Sequence, residues 1–284
     1  MAMIQEVLAV ERIDDDIYRG GAFPSQLRRT FGGQVAGQSL VAATRTVDAN
    51  YAVHSLHGYF LRPGRPSEPA VFLVDRVRDG RSFVTRRVSA VQDGEVIFSM
   101  SASFHIVDDK GIEHQDVMPP APDPESLPDR RAVGSENERK LFAEWDNFDI
   151  RIVDQEHTAR FPGLAARQQV WFRYRESLPD DHLLHVCTLA YMSDMTLLGS
   201  SKVAHPGVAT QNASLDHAMW FLRKFRTDDW LLYDQTSPFA GGGRALTQGR
   251  IFTRDGQMVA AVTQEGLTRL GVNDTLVSSP TREQ

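Results

Sequence analysis

The sequence predicts an α+β protein made of two tandem copies of one unit, each pairing a helix with an antiparallel sheet. Tyr59-Phe60-Leu61-Arg62 returns as Trp220-Phe221-Leu222-Arg223 at an offset of 161 (220 − 59). Gln92-Asp93-Gly94-Glu95-Val96-Ile97 returns as Arg254-Asp255-Gly256-Gln257-Met258-Val259 at an offset of 162 (254 − 92). Two independent matches at nearly one spacing indicate a duplication. Each copy also places a helical run ahead of several alternating apolar stretches, the pattern of an α+β unit.

The 284 residues are long for one domain and comfortable for two of roughly 110 to 140. We divide the chain into a first unit (1–107), a linker (108–147), a second unit (148–272) and a C-terminal tail (273–284). Hydrophobic content of 41% and charged content of 24% are those of an ordinary globular protein. No stretch approaches the ~18 apolar residues of a membrane span. The start, MAMIQEVLAVERIDDD, lacks the basic and then apolar run of a targeting peptide. A net charge of −6 with scattered Lys and Arg argues against a nucleic-acid surface. Cys187 stands alone in an apolar run, so no internal disulfide or thiolate cluster forms and the residue reads as packing.

In chain order, residues 1–20 read as an amphipathic leading segment. Thr30 can cap a helix over Phe31 to Val47, rich in small residues. Glycine costs a helix ~1 kcal/mol against alanine, so Gly32, Gly33 and Gly37 need a packing reason, for which a closely wrapped sheet would serve. Strands follow at 53–62, 70–77, 82–91 and 95–107, with turns at Asp79-Gly80 and Asp93-Gly94. The prolines of the linker favour an extended connector, followed by a short helical piece, NERKLFAEW. The second unit has strands at 148–153 and 168–175, a helix in 181–199, then strands at 213–223, 230–237, 244–253 and 257–269. Residues 213–223 are apolar on both faces, which calls for cover on both and leads us to expect a homo-oligomer.

What the copies do not share points to chemistry. At offset 162 the apolar face Val96, Phe98, Met100, Ala102 becomes Met258, Ala260, Val262 and then Gln264. At offset 161 Ser214 replaces Val53, and in the second helix Asp194 interrupts YMSDMTLL, loosely opposite Gly33. Burying an unpaired amide or hydroxyl costs ~1–3 kcal/mol and a carboxylate more. Three such groups in one copy are best accommodated by bonding one another or a shared water. An acid with two polar neighbours is also what general-base activation of water requires.

Other candidates carry less. Asp216-His217 lies beside Ser214, but no G-x-S-x-G elbow occurs, and neighbours on a strand face opposite ways. Regular alternation puts Asp216 on the Ser214 face. The pairs His54/His57 and His182/His185 have no accompanying acid cluster and read as structural. Gly241-Gly242-Gly243 reads as a hairpin rather than a phosphate cradle.

The runs TFGGQVAGQSL, HSLHGYFLRPG, RDGRSFVTRRVSAVQDG, GIEHQDVMPP, SLDHAMWF and TQEGL, taken together and in this order, resemble acyl-CoA thioesterase II, the double hotdog thioesterases of bacteria and peroxisomes. The resemblance spans about residues 5 to 270. It implies two hotdog units, each a sheet wrapped round a central helix, and hydrolysis of fatty acyl-CoA to free acid and CoA without metal or other cofactor. It also implies a water positioned by Asp194 (the family's Y-x-S-D), Ser214 (A-[ST]-[IL]-D-H) and Gln264 (Q-E-G). Alternatives are a hotdog enoyl-CoA hydratase or a non-catalytic acyl-CoA-binding protein. The chain ends SSPTREQ with no S-K-L-type address, so a cytoplasmic setting is expected over a peroxisomal one.

Overall fold

The structure, a computed structural model, describes residues 2–107, 111–154 and 166–271; the expected C-terminal tail, 273–284, lies outside them. The first unit runs α1 (Ile4–Leu8), β1 (Val10–Asp14), β2 (Ile17–Gly20), α2 (Gly32–Thr44), β3 (Tyr51–Phe60), β4 (Val71–Asp79), β5 (Phe83–Gln92) and β6 (Glu95–Ile106). The linker carries the short helices α3 (Arg130–Val133) and α4 (Glu136–Phe142). The second unit runs β7 (Phe148–Ile152), β8 (Arg167–Tyr174), α5 (His182–Ser193), β9 (Thr210–Ser214), β10 (Asp216–Phe221), β11 (Leu231–Gly241), β12 (Arg244–Thr253) and β13 (Met258–Leu270).

Sheet order repeats the duplication. The first half reads β1-β2-β4-β5-β6-β3, and the second, from its far edge, β7-β8-β11-β12-β13-β10. The halves join where β3 pairs with β10, Leu56 opposite Met219 and Ser55 opposite Trp220, giving one continuous antiparallel sheet. The fold is therefore α+β and a double hotdog, with α2 and α5 as its two central helices. Asp93 and Gly94, with φ of 48° and 76°, form the tight turn expected between β5 and β6. Gly241-Gly242-Gly243 is the β11–β12 hairpin.

Three features differ from the sequence reading. The glycines of α2 serve its contacts with other helices more than the wrap of the sheet: a Cβ at Gly33 would overlap the Tyr191 carbonyl oxygen of α5, and one at Gly37 would stand 2.6 Å from the Leu8 side chain of α1 and 3.3 Å from the Cys187 carbonyl oxygen of α5. The expected strand 213–223 is two strands, because the pairing shifts by one residue between Ser214↔Gly266 and Ala218↔Thr263. The extra residue is a β-bulge at Leu215, and it inverts the facing of everything after it. His217, Met219 and Phe221 thus point inward (1%, 0% and 8% exposed), not Asp216.

The linker is also more than an extended connector. Its proline-rich part lies across the outer face of β8, β11 and β12, where Met118, Ala121 and Leu127 pack on Trp171, Leu232 and Phe252. Trp171 Nε1 donates to the Pro122 carbonyl at 2.8 Å and Gln169 Nε2 to that of Pro120 at 3.2 Å, which explains how prolines, with no N–H to satisfy, can run over a sheet. The second cover on the sheet is supplied there by the chain itself. The outer face of β3 and β10 stays open, with Tyr59, Trp220 and Leu222 exposed.

Candidate active site

Asp194 is the C-cap of α5, one residue past its last turn and not inside the helix. Ser214 ends β9, and Gln264 stands on the inner face of β13. The sheet's curvature brings all three together. Gln264 Nε2 donates to Asp194 Oδ1 at 2.6 Å and to Ser214 Oγ at 2.7 Å, and the Ser214 hydroxyl donates to Asp194 Oδ1 at 3.1 Å. Gln264 is wholly buried, while Asp194 and Ser214 are half-buried on the wall of a cavity.

A fourth contact comes from the other copy. The Gly33 backbone N–H, in the first turn of α2, donates to the Asp194 carboxylate. α2 and α5 pack antiparallel, so the end of one meets the start of the other, and the positive end of the α2 dipole faces the acid. Only glycine fits here, since a Cβ on Gly32 would stand 2.5 Å from Asp194 Oδ2. The loose alignment of Asp194 with Gly33 does not hold as an equivalence, because the C-cap of α2 is Arg45; the two residues are neighbours across the helix pair instead.

Burial pushes the Asp194 carboxyl up to about 6, against the opposing pull of bonds from Gln264, Ser214 and Gly33. Around it the α5 end is braced from behind. Ser193 Oγ lies 2.8 Å from His217 Nε2, and the Tyr233 hydroxyl donates to the Ser193 carbonyl at 3.2 Å. Burial lowers the His217 pKa to about 4, so this imidazole is neutral at pH 7. The sequence reading set His217 aside with its neighbour Asp216; the signal for its inward facing was its equivalence at offset 161 (217 − 56) to Leu56, a fully buried apolar position in the first copy.

The cavity measures about 680 Å³, within the range of small-molecule sites. Its lining comes from both units and the linker, with Phe31, Val35, Phe60 and Phe98 as apolar wall and Arg62, Arg130 and Lys202 as cations. Gln168 and Thr196 add polar groups, both tied to the buried Gln235 at 2.9 and 2.6 Å. The remaining candidates fall elsewhere. Asp216 accepts from the Glu265 backbone N–H at 2.7 Å. His54 sits against Ser103, His57 on Trp220, His185 on Thr227 and His182 beside Phe225. Cys187 is buried, which raises its thiol pKa and leaves it unreactive.

Comparison with known proteins gives consistent results in both halves of the chain. Residues 139–267 match the acyl-CoA thioesterase family, and residues 21–105 match the acyl-CoA thioesterase N-terminal domain. Acyl-coenzyme A thioesterase 8 of Mus musculus is 38% identical, covering 94% of this chain and 89% of that one. Acyl-CoA thioesterase 2 of Haemophilus influenzae is 36% identical, covering 93% and 96%. The crystal structure of an acyl-CoA thioesterase II from Mycobacterium marinum superposes with a TM-score of 0.85 at 59% identity, over 95% of this chain and 99% of that one. A hotdog protein from Alicyclobacillus acidocaldarius, 21% identical with a TM-score of 0.77, shares the fold.

Proposed function

The chain belongs to the acyl-CoA thioesterase II family and is an acyl-CoA thioester hydrolase, and from that premise we propose that it cleaves fatty acyl-CoA through a water held by Asp194, Ser214 and Gln264. The observation that carries this reading is the convergence of those three side chains, at 2.6 to 3.1 Å, with Asp194 and Ser214 on the wall of an apolar cavity and Gln264 buried behind them. A carboxyl with a pKa of about 6 is ionised at pH 7 yet basic enough to take a proton from water.

In this mechanism Asp194 removes a proton as the water oxygen attacks the thioester carbonyl carbon. The tetrahedral oxyanion is stabilised by backbone amide at the open start of α2, where Gly32 puts no side chain between helix and cavity. Collapse breaks the C–S bond, and the proton held by Asp194 passes to the departing thiolate. The products are the free acid and CoA thiol. Cations lining the cavity suit the phosphates of CoA, and its aromatic walls suit a fatty chain.

Thiol release from palmitoyl-CoA tests the assignment. Asp194→Asn should lower kcat roughly a hundredfold or more; turnover within a few-fold of the parent would sink it. The stability effect has a definite sign. Because the folded-state pKa is raised above 3.8, the proton's stabilising contribution is present below 3.8 and lost as pH rises through about 6. Above pH 6 the neutral Asn variant should therefore melt no lower than the parent.

Among the described residues no helix is long and apolar enough to cross a membrane. We propose a cytoplasmic setting, in keeping with the likeness to a bacterial acyl-CoA thioesterase. The open apolar strip of Tyr59 on β3, Trp220 on β10 and Leu222 just past β10 supports self-association. Light scattering should give more than one chain per particle, with Trp220→Lys shifting it toward a monomer; a monomeric parent rules this out.

A further inference from the structure

The two hotdog units do not close the cavity by themselves. The segment joining them contributes Glu138, Leu141, Phe142 and Trp145, at i, i+3, i+4 and i+7, so α4 and the turn after it present one continuous face to the cavity. That face is graded. At its start Glu138 pairs with Arg130, and its charge acts on the Lys202 ammonium. One turn on is Leu141, and beyond it Phe142 and Trp145 are buried at 6% and 3% exposure.

The apolar end leads back to the chemistry. Trp145 meets Phe31 edge to face with ring centroids 5.0 Å apart, and Phe31 immediately precedes Gly32 against the Asp194 carboxylate. The wall is also held in place. Ser135 and Glu138 form a reciprocal cap at the start of α4. The Gln26 N–H donates to Glu144 Oε2 at 3.1 Å, and Asn147 Nδ2 to the Ala2 carbonyl at 2.8 Å. A fixed apolar surface reached from the reacting carbon past one aromatic ring is what limits a flexible hydrocarbon chain.

We propose that this linker face, through Leu141, Phe142 and Trp145, is the gauge that sets acyl chain length, with the charged end at Arg130, Glu138 and Lys202 directed toward the CoA portion. The proposal rests on the hydrolase reading above and adds to it which element selects the substrate. Specificity then resides in the segment that joins the two units.

The test is kcat/KM by thiol release across straight-chain substrates from butyryl-CoA to palmitoyl-CoA, for the parent, Leu141→Trp and Leu141→Ala. Leu141 is half-buried, so neither change empties the core. Leu141→Trp should lose about tenfold or more on palmitoyl-CoA while butyryl-CoA stays within about threefold, since filling a pocket by a few methylene volumes discriminates on that scale. Leu141→Ala should move the preference toward longer chains, and it alone decides the matter if the Trp variant does not fold. An unchanged profile, or an equal loss at every length, overturns the gauge while leaving the hydrolase reading intact. A parent that releases no thiol from any length overturns both.

Discussion

The same place in the two copies of this fold is closed in one and open in the other. In the first, Arg86 on β5 stands opposite Ala102 on β6; in the second, Thr247 on β12 stands opposite Gln264 on β13. These pairs are equivalent at offsets 161 (247 − 86) and 162 (264 − 102). Arg86, 1% exposed, fills its side completely: it donates to Thr46 Oγ1 at 2.8 Å and to the Thr46, Arg78 and Thr85 carbonyls at 3.0 to 3.1 Å. It thereby fixes the turn that leaves α2 at Thr46 and places a cation near the negative end of the helix dipole. In the second copy Thr247 is too short to reach, and the space at the end of α5 holds the Asp194 carboxyl and the Gln264 amide.

Even the irregularity in the strand is shared. The pairing of β3 with β6 slips one residue between Val53↔Phe104 and Ser55↔Ser103, just as the second copy slips at Leu215. The bulge therefore belongs to the common frame, and in the second copy it lies beside the strand position whose hydroxyl turns toward a helix end. What distinguishes the copies is which side chains occupy a common frame. The first gives packing and a helix start; the second gives an acid.

Placing first-copy residues into the second measures how much that difference does. Gln264→Ala removes both donors that hold Asp194 and Ser214, and kcat should fall on the order of 10²–10³. Ser214→Val deletes both hydrogen bonds of that hydroxyl, the one it donates to Asp194 and the one it accepts from Gln264, each worth ~0.5–1.5 kcal/mol, and should cost roughly five- to a hundredfold. Turnover in Gln264→Ala at parental levels would show that the amide only packs. The reverse control is Arg86→Met, which removes the cation that ties the exit of α2 at Thr46, at the helix end opposite the cavity. It should lower unfolding stability by about 1.5–3 kcal/mol in a denaturant titration while leaving kcat within about twofold. A large loss of rate there would mean the copies are not divided as described.

Much of this was legible in the sequence because β-strand alternation and a fixed offset report directly on which residues share a face. Gln264 and Ser214 were singled out that way as candidates and the structure brings them together with Asp194, and the strand order follows from the same duplication. His217 was not, because alternation carried past Leu215 assigns the wrong face when one residue bulges. Asp194 was found, but its position at a helix end was not, since an apolar run continues beyond the last turn. The glycines of α2 were seen to need a reason, yet a partner helix and a sheet leave the same mark in composition. Proline content, read as an extended tether, hid the fact that carbonyl groups alone can fasten a segment across a sheet.

The most direct test of the second copy as the acid-bearing one is the pH dependence of kcat/KM for acyl-CoA hydrolysis. Burial holds the Asp194 carboxyl near 6, so the rate should fall about tenfold per pH unit below that point and level off above it. The residual activity of Asp194→Asn should lack this acidic limb. A profile flat down to pH 5, or a limb that survives in the variant, would contradict the account.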